Sequence, residues 1–207
     1  NGSLLIFDEV ISGVRVALGG MAEVLKITPD LVTYGKVLGG GFNVACYGGR
    51  KDLLDLVAPA GPVYQAGTLS ANPVGMRAGL ATLKKVEKLQ LYEQLNSRTD
   101  RFAARLNADF KRSALPLQIS SVASIFWIHG KAGKAGGNEP IRCIEKIPPG
   151  HKENYAKLFY ELLNEKIYLA PSGYEVGFLS LAHSESVLEG VQEKILRAAT
   201  NIFSRVF

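Results

Sequence analysis

Cysteine is scarce in this sequence: Cys46 and Cys143 are the two in 207 residues. They lack metal-ligand spacing, so the expectation is reduced thiols, a cytoplasmic compartment and no bound metal. Cys46 lies in an apolar run and is expected to be a small core residue. No apolar run approaches the ~18 residues of a membrane span. The first residues carry no basic-then-apolar leader pattern. The net charge of +5 is mild and dispersed. There is no arginine-rich arm and no basic–aromatic alternation, which argues against nucleic acid. Histidine is also sparse, with three in the chain. His183 reads as structural, and His129 and His151 fall at loop edges. No Ser/His/Asp arrangement is present.

Charge is missing from one stretch in particular. Between Asp30 and Arg50 the single charged residue is Lys36, in Leu31-Val32-Thr33-Tyr34-Gly35-Lys36-Val37-Leu38-Gly39-Gly40-Gly41. A lysine in so apolar a run is expected to be desolvated. Burial disfavours the ammonium and makes the amine a usable nucleophile or proton carrier. The glycines after it let another backbone or a ligand come close. A nucleotide loop is excluded, because Asp30 and Val37 stand where that pattern needs Gly and Ser or Thr.

Upstream, Leu4-Leu5-Ile6-Phe7 reads as a buried, parallel strand. It ends in Asp8-Glu9. Ligands of open α/β sheets bind beyond the carboxyl ends of strands, so Asp8 stands where a ligand is held. The same position suits a helix cap or a turn residue. An acid there, with a desolvated lysine on a nearby turn, matches two groups that a pyridoxal 5'-phosphate site needs. The lysine bonds to the cofactor's aldehyde, and the aspartate pairs with its ring nitrogen.

The rest of the chain reads as alternating elements. A short helix is expected over 21–25, a strand over 31–34 and another within 42–48. Arg50-Lys51-Asp52 opens a short helix. Residues 58–63, with two prolines and a glycine, form an irregular loop. Gly67-Thr68 offers a hydroxyl beside a flexible glycine, suited to a phosphate or to capping a turn. Asn72-Pro73 starts a helix expected to reach about Leu95, with Leu80, Ala81 and Leu83 on one face. A second helix carries Leu95, Phe102, Leu106 and Phe110 at helical spacing. Residues 117–128 suit a strand, and 130–150 a tip loop with Lys131 and Lys134 solvated. A helix over 151–166 carries Tyr155, Leu158, Phe159 and Leu162. Strands follow at 166–170 and 178–181. Ser186 and Glu189 form a capping box for a last helix, with Leu188, Val191, Ile195 and Ile202 inward.

Several motifs carry a resemblance. Leu5-Ile6-Phe7-Asp8-Glu9-Val10, Thr28-Pro29-Asp30-Leu31 and Gly35-Lys36 with Gly39-Gly40-Gly41 resemble the class III aminotransferases of PLP fold type I. The stretches 58–70 and 168–184, including Glu175, Gly177-Phe178 and Ala182-His183-Ser184, are similar to the aminomutase branch of that family. That branch moves an amino group within one carbon skeleton to give 5-aminolevulinate for tetrapyrrole synthesis. The resemblance implies an α/β fold: the C-terminal part of a large mixed-sheet domain over 1–95, then a small α+β domain over 96–207. It implies Lys36 and Glu175 as catalytic residues, and Lys36, Asp8, Gly67, Thr68 and Tyr64 as cofactor-binding residues. It implies a homodimer in which Thr68, with Tyr64 nearby, reaches the partner subunit's cofactor phosphate. The substrate is then a small amino or carbonyl compound.

Asn1-Gly2-Ser3 leads directly into a strand. The resembled family has roughly another half before this point, with the phosphate loop, the ring-stacking aromatic and the substrate arginine. The expectation is therefore a piece of a larger protein or a truncated one. Asn43-Val44-Ala45, Ala71 and Tyr174 depart from the family pattern and bear on fine specificity. Two alternatives stay open: another class III aminotransferase, or an inactive fragment serving as a dimerisation module.

Overall fold

The computed structural model describes residues 2–131 and 140–203. The expectation for Lys134 lies outside the described residues. The chain divides into two compact units, Asn1–Tyr92 and Glu93–Phe207.

The first unit is built on a three-stranded sheet in the order β1 (Ile6–Glu9), β2 (Leu31–Tyr34), β3 (Cys46–Gly49). β1 and β2 are parallel, with Asp8 opposite Thr33; β3 returns antiparallel to β2. Asp30 ties the three together. Its Oδ2 accepts the Leu5 amide at 2.8 Å, its Oδ1 accepts Arg50 Nη1 at 2.7 Å, and its carbonyl accepts the Arg50 amide at 2.9 Å. The Leu5 amide first, and the Arg50 guanidinium with it, hold the Asp30 carboxyl below the usual range.

Helix α1 (Gly20–Leu25) follows β1, and α2 (Lys51–Leu54) follows β3. Helix α3 (Pro73–Leu89) begins as its sequence directs: the Asn72 side chain accepts the Gly75 amide at 2.7 Å, and Pro73 needs no donor there. It ends earlier than the expected Leu95, because Gln90 adopts φ 44 and breaks the run. Its buried face is Gly75, Gly79 and Val86, whereas Leu80 is exposed.

Helix α4 (Leu91–Arg112) carries Leu95, Phe102, Leu106 and Phe110, all buried as their spacing directs. In the second unit, β4 (Leu117–Val122), β5 (Ile125–Gly130) and β6 (Gly177–Phe178) form an antiparallel sheet in that order. The expected single strand over 117–128 is thus a hairpin. Its turn uses Ala123 at φ 51, a position with none of the usual Gly or Asn signal. Asn107 on α4 brackets the edge of β4. Its Nδ2 donates to the Ile119 carbonyl at 2.8 Å, and its Oδ1 accepts the Ile119 amide at 3.0 Å.

Helix α5 (His151–Asn164) buries Tyr155, Leu158, Phe159 and Leu162, and α6 (Glu185–Phe203) buries Leu188 and Ile195. Phe102 meets Phe126 edge to face at 5.6 Å across this core. Residues 167–170 are irregular, not the expected strand. The α6 cap is Ser184, whose Oγ accepts the Val187 amide at 3.3 Å, in place of the expected Ser186. The helix begins two residues earlier than its Ser-x-x-Glu pattern indicates.

Candidate active site

Two residues singled out from the sequence fall at one end of the first unit's sheet. Asp8 is the third residue of β1, and Lys36 lies just past the end of the parallel β2. Adjacent strands are ~4.8 Å apart and three residues span at most ~11 Å, so their Cα atoms lie within about 16 Å. The turn that carries the lysine passes close to the end of β1: a Cβ on Gly35 would stand 3.4 Å from Val10 Cγ1.

Both side chains are exposed. For Lys36 this corrects the expectation of desolvation. The apolar flanks do not close over it, because Val37 and Leu38 are only half-buried. The strand beside it is open as well. Leu4, Leu5 and Ile6 are exposed at 48%, 44% and 58%, against the expectation of a buried strand. Cys46, expected in the core, is exposed too. It sits on β3 at the edge of a three-stranded sheet, where a small side chain gains little cover.

Lys36 has φ 46, in the left-handed region, and opens a 3₁₀ turn over Lys36–Gly39. A non-glycine residue there is strained by roughly 1 kcal/mol or more and is held by its surroundings. The surroundings are α3 and the chain after the turn. The Leu38 carbonyl lies 3.0 Å from where a Gly79 Cβ would be, and Val44 Cβ lies 3.1 Å from that of Gly39. Gly40, at φ 59, faces Thr82 with no room for a side chain. The glycines thus admit a helix and a backbone, while a Cβ on Gly41 would meet nothing within 4 Å.

Asp8 is held on one oxygen. Its Oδ1 accepts the Val10 amide at 3.1 Å and Thr33 Oγ1 at 3.3 Å. Both hydrogen bonds recorded for its carboxylate among the described residues fall on that atom, which leaves Oδ2 for a donor from outside. The residue beside it does the reverse. Strand alternation turns Glu9 to the opposite face, where it is 1% exposed. Its carboxylate accepts the amides of Met21 at 3.0 Å and Ala22 at 2.8 Å, and the Ser12 hydroxyl. These bonds anchor the start of α1 and the loop that follows β1. A charged acceptor near a helix N-terminus satisfies donors that have no partner within the helix. Sequence reading passed over Glu9, and only the two-residue period of β1 could have separated its role from that of Asp8.

Tyr64, Gly67 and Thr68 lie together in an exposed loop of the first unit, with Tyr64 84% exposed. They are brought close to one another by sequence. Glu175 belongs to the second unit. It is exposed, its amide donates to the Ser172 carbonyl at 3.1 Å, and it lines a 460 Å³ cleft whose walls include Phe126, Leu169 and Phe178.

His183 is structural: its Nδ1 accepts the Ser180 amide at 3.0 Å. His129, next to the end of β5, and His151, the first residue of α5, stand at loop edges as read, and both are buried, at 1% and 6% exposure. They flank Trp127, at ring separations of 4.4 and 5.7 Å. The aromatic sheet face of β5 draws them in.

Comparison with known proteins adds the following. Residues 1–132 match the aminotransferase class-III family. The chain is 55% identical over 199 residues to a glutamate-1-semialdehyde 2,1-aminomutase of Bdellovibrio bacteriovorus, covering 96% of this chain and 46% of that protein. It is 56% identical over 188 residues to one of Leptospira interrogans, covering 90% of this chain and 41% of that protein. The chain therefore spans less than half the length of these curated relatives. Among solved structures, a β-phenylalanine aminotransferase from Variovorax paradoxus superposes with a TM-score of 0.83 at 32% identity, over 95% of this chain and 44% of that one. The α/β fold is that of the PLP-dependent transferases, and the chain belongs to the class III aminotransferase family.

Proposed function

We propose that this chain supplies the lysine-bearing part of a glutamate-1-semialdehyde 2,1-aminomutase that uses pyridoxal 5'-phosphate. The observation that carries the reading is the parallel pairing of β1 with β2. It sets Asp8 and Lys36 at the same end of one sheet, beyond which ligands of such sheets are held. Identity of 50% or more to several aminomutases supports the choice within the family. We read the matched portion as the C-terminal half of those relatives, with 1–95 belonging to the large domain and 96–207 to the small one.

The residues present suit the cofactor. Asp8 Oδ2 is free to accept from a protonated ring nitrogen, with Oδ1 pinned by Val10 and Thr33. The Lys36 amine is exposed and can reach an aldehyde. When bound, the cofactor supplies an electron sink for a carbanion at the substrate carbon. Lys36 Nζ is the group that carries a proton between carbon atoms during the amino shift. Asp8 keeps the ring nitrogen protonated. Thr68 Oγ1 and the Gly67 backbone bind phosphate, with Tyr64 beside them, across a homodimer interface. Glu175 is the carboxylate that the second unit contributes. The compartment is cytoplasmic and the product serves tetrapyrrole synthesis.

Borohydride reduction tests this. The chain is treated with pyridoxal 5'-phosphate, alone and with the N-terminal half of one aminomutase relative. Peptide mass spectrometry then finds the label on Lys36, and Lys36→Ala takes none. Label spread over surface lysines in both arrangements sinks the reading. Assays of semialdehyde isomerisation beside keto-acid transamination in the assembled protein separate the aminomutase from a general class III aminotransferase.

A further inference from the structure

A second cavity has no part in that chemistry. It lies wholly within the second unit, between the open end of the β4–β5 hairpin and the start of α5, and measures 180 Å³. Leu117, Ile128 and Leu158 give it an apolar floor. His129 and His151 give it a polar wall, and Lys131 adds one cation at its edge. Among the described residues that line it, none is acidic.

The imidazoles are fixed by their bonds. His129 Nδ1 donates to the Gly130 carbonyl at 2.7 Å, and its Nε2 lies 2.8 Å from Ser120 Oγ. His151 Nε2 donates to the Gly173 carbonyl at 2.7 Å. A carbonyl only accepts, so these nitrogens carry the protons. Burial lowers the His129 pKa, and His151 lowers it further. Helix α5 starts at His151, and no side chain caps it. The amides of its first turn add partial positive charge at the same place.

We infer that this cavity binds a small carboxylate with a short apolar tail. The carboxylate lies toward Lys131 and the start of α5, and the tail lies on Leu117, Ile128 and Leu158. A water takes ~30 Å³, so the cavity holds on the order of six non-hydrogen atoms. The apolar floor disfavours phosphate, whose whole surface is polar. The inference does not depend on the cofactor reading, and either can fail without the other.

The test uses the full chain carrying the solubilising Ile6→Lys substitution, with isotope-labelled histidine, followed by NMR. Isobutyrate is titrated in, with isobutyramide as the neutral control of the same shape and inorganic phosphate as the second anion. Saturating shifts of the His129 and His151 ring signals are expected with isobutyrate. Binding of the amide and of phosphate is at least tenfold weaker. Asn154→Asp adds a negative charge at the cavity, early in α5 where the helix favours it, so the fold is kept while isobutyrate binding falls tenfold or more. Lys131→Gln weakens it several-fold. The inference is overturned if the folded chain shows no saturating shift, if the amide or phosphate binds as well as isobutyrate, or if Asn154→Asp binds it unchanged.

Discussion

Glu9 accepts the amide of Ala22 at 2.8 Å from a fully buried position, thirteen residues away along the chain. With the Met21 amide and the Ser12 hydroxyl, this makes one carboxylate tie the loop after β1 to the start of α1. Removing it leaves three donors without their acceptor. Glu9→Ala is expected to lower stability by about 3 kcal/mol, read as a lower urea midpoint at unchanged slope. Asp8→Ala, one residue away on the exposed face, is expected to shift that midpoint far less.

The start of α3 gives a smaller and cleaner effect. Asn72→Ala removes the acceptor for the Gly75 amide and is expected to cost about 1 kcal/mol. Asn72→Asp restores most of it. Denaturant melts of the three chains are the measurement.

The second unit is expected to lose stability in mild acid. Burial lowers the His129 pKa below its ordinary value near 6.5. The unfolded state therefore binds the proton more readily than the folded one. The contribution of neutral His129 is complete above about pH 6.5 and is lost as pH falls through its depressed folded value. His129→Gln flattens this acid dependence. A series of urea melts between neutral and mildly acidic pH, with and without the substitution, checks the sign.

The exposed start of β1 bears on handling of the chain. Leu4, Leu5 and Ile6 present apolar side chains at a strand paired, among the described residues, on one side only. Such an edge recruits other strands. The wild-type chain is expected to aggregate in isolation, and Ile6→Lys to raise its soluble yield without lowering its melting temperature. Light scattering against concentration measures this. A monodisperse wild-type monomer contradicts it.

Thr68→Ala is expected to weaken cofactor binding roughly tenfold in the assembled protein, by removing a hydroxyl donor to a charged phosphate. Absorbance titration with pyridoxal 5'-phosphate reads the loss. Unchanged affinity would remove Thr68 from the site.

Much of the fold is legible in the sequence wherever one strong local signal acts. The Asn-Pro pair starts α3, and the helical spacing of Leu95, Phe102, Leu106 and Phe110 buries one face of α4. Strand β2 spans the expected residues and pairs in parallel with β1. What is hidden depends on single residues in unusual conformations. Gln90 ends a helix and Ala123 turns a hairpin, both at positive φ and both without glycine. Neither composition nor period reports such a choice. Burial is the other loss. An apolar run such as Leu4 to Phe7, or the flanks of Lys36, shows what a segment prefers and not what covers it. At the candidate site, the motifs point to Asp8 and Lys36, which the pairing of β1 with β2 puts at one end of the sheet, while Glu9 has no signal because its carboxylate looks identical on paper. The buried pair His129 and His151 was missed for a similar reason. Their partners are a hydroxyl and two carbonyls, which leave no pattern in the sequence.

The left-handed backbone at Lys36 separates the energetics of this position from its chemistry. Alanine there would erase the amine but keep the torsional penalty, whereas glycine would erase both. The difference in folding free energy between those two replacements, with glycine's larger unfolded-state entropy allowed for, reads the tension stored at the turn on a chain that has never met a ligand.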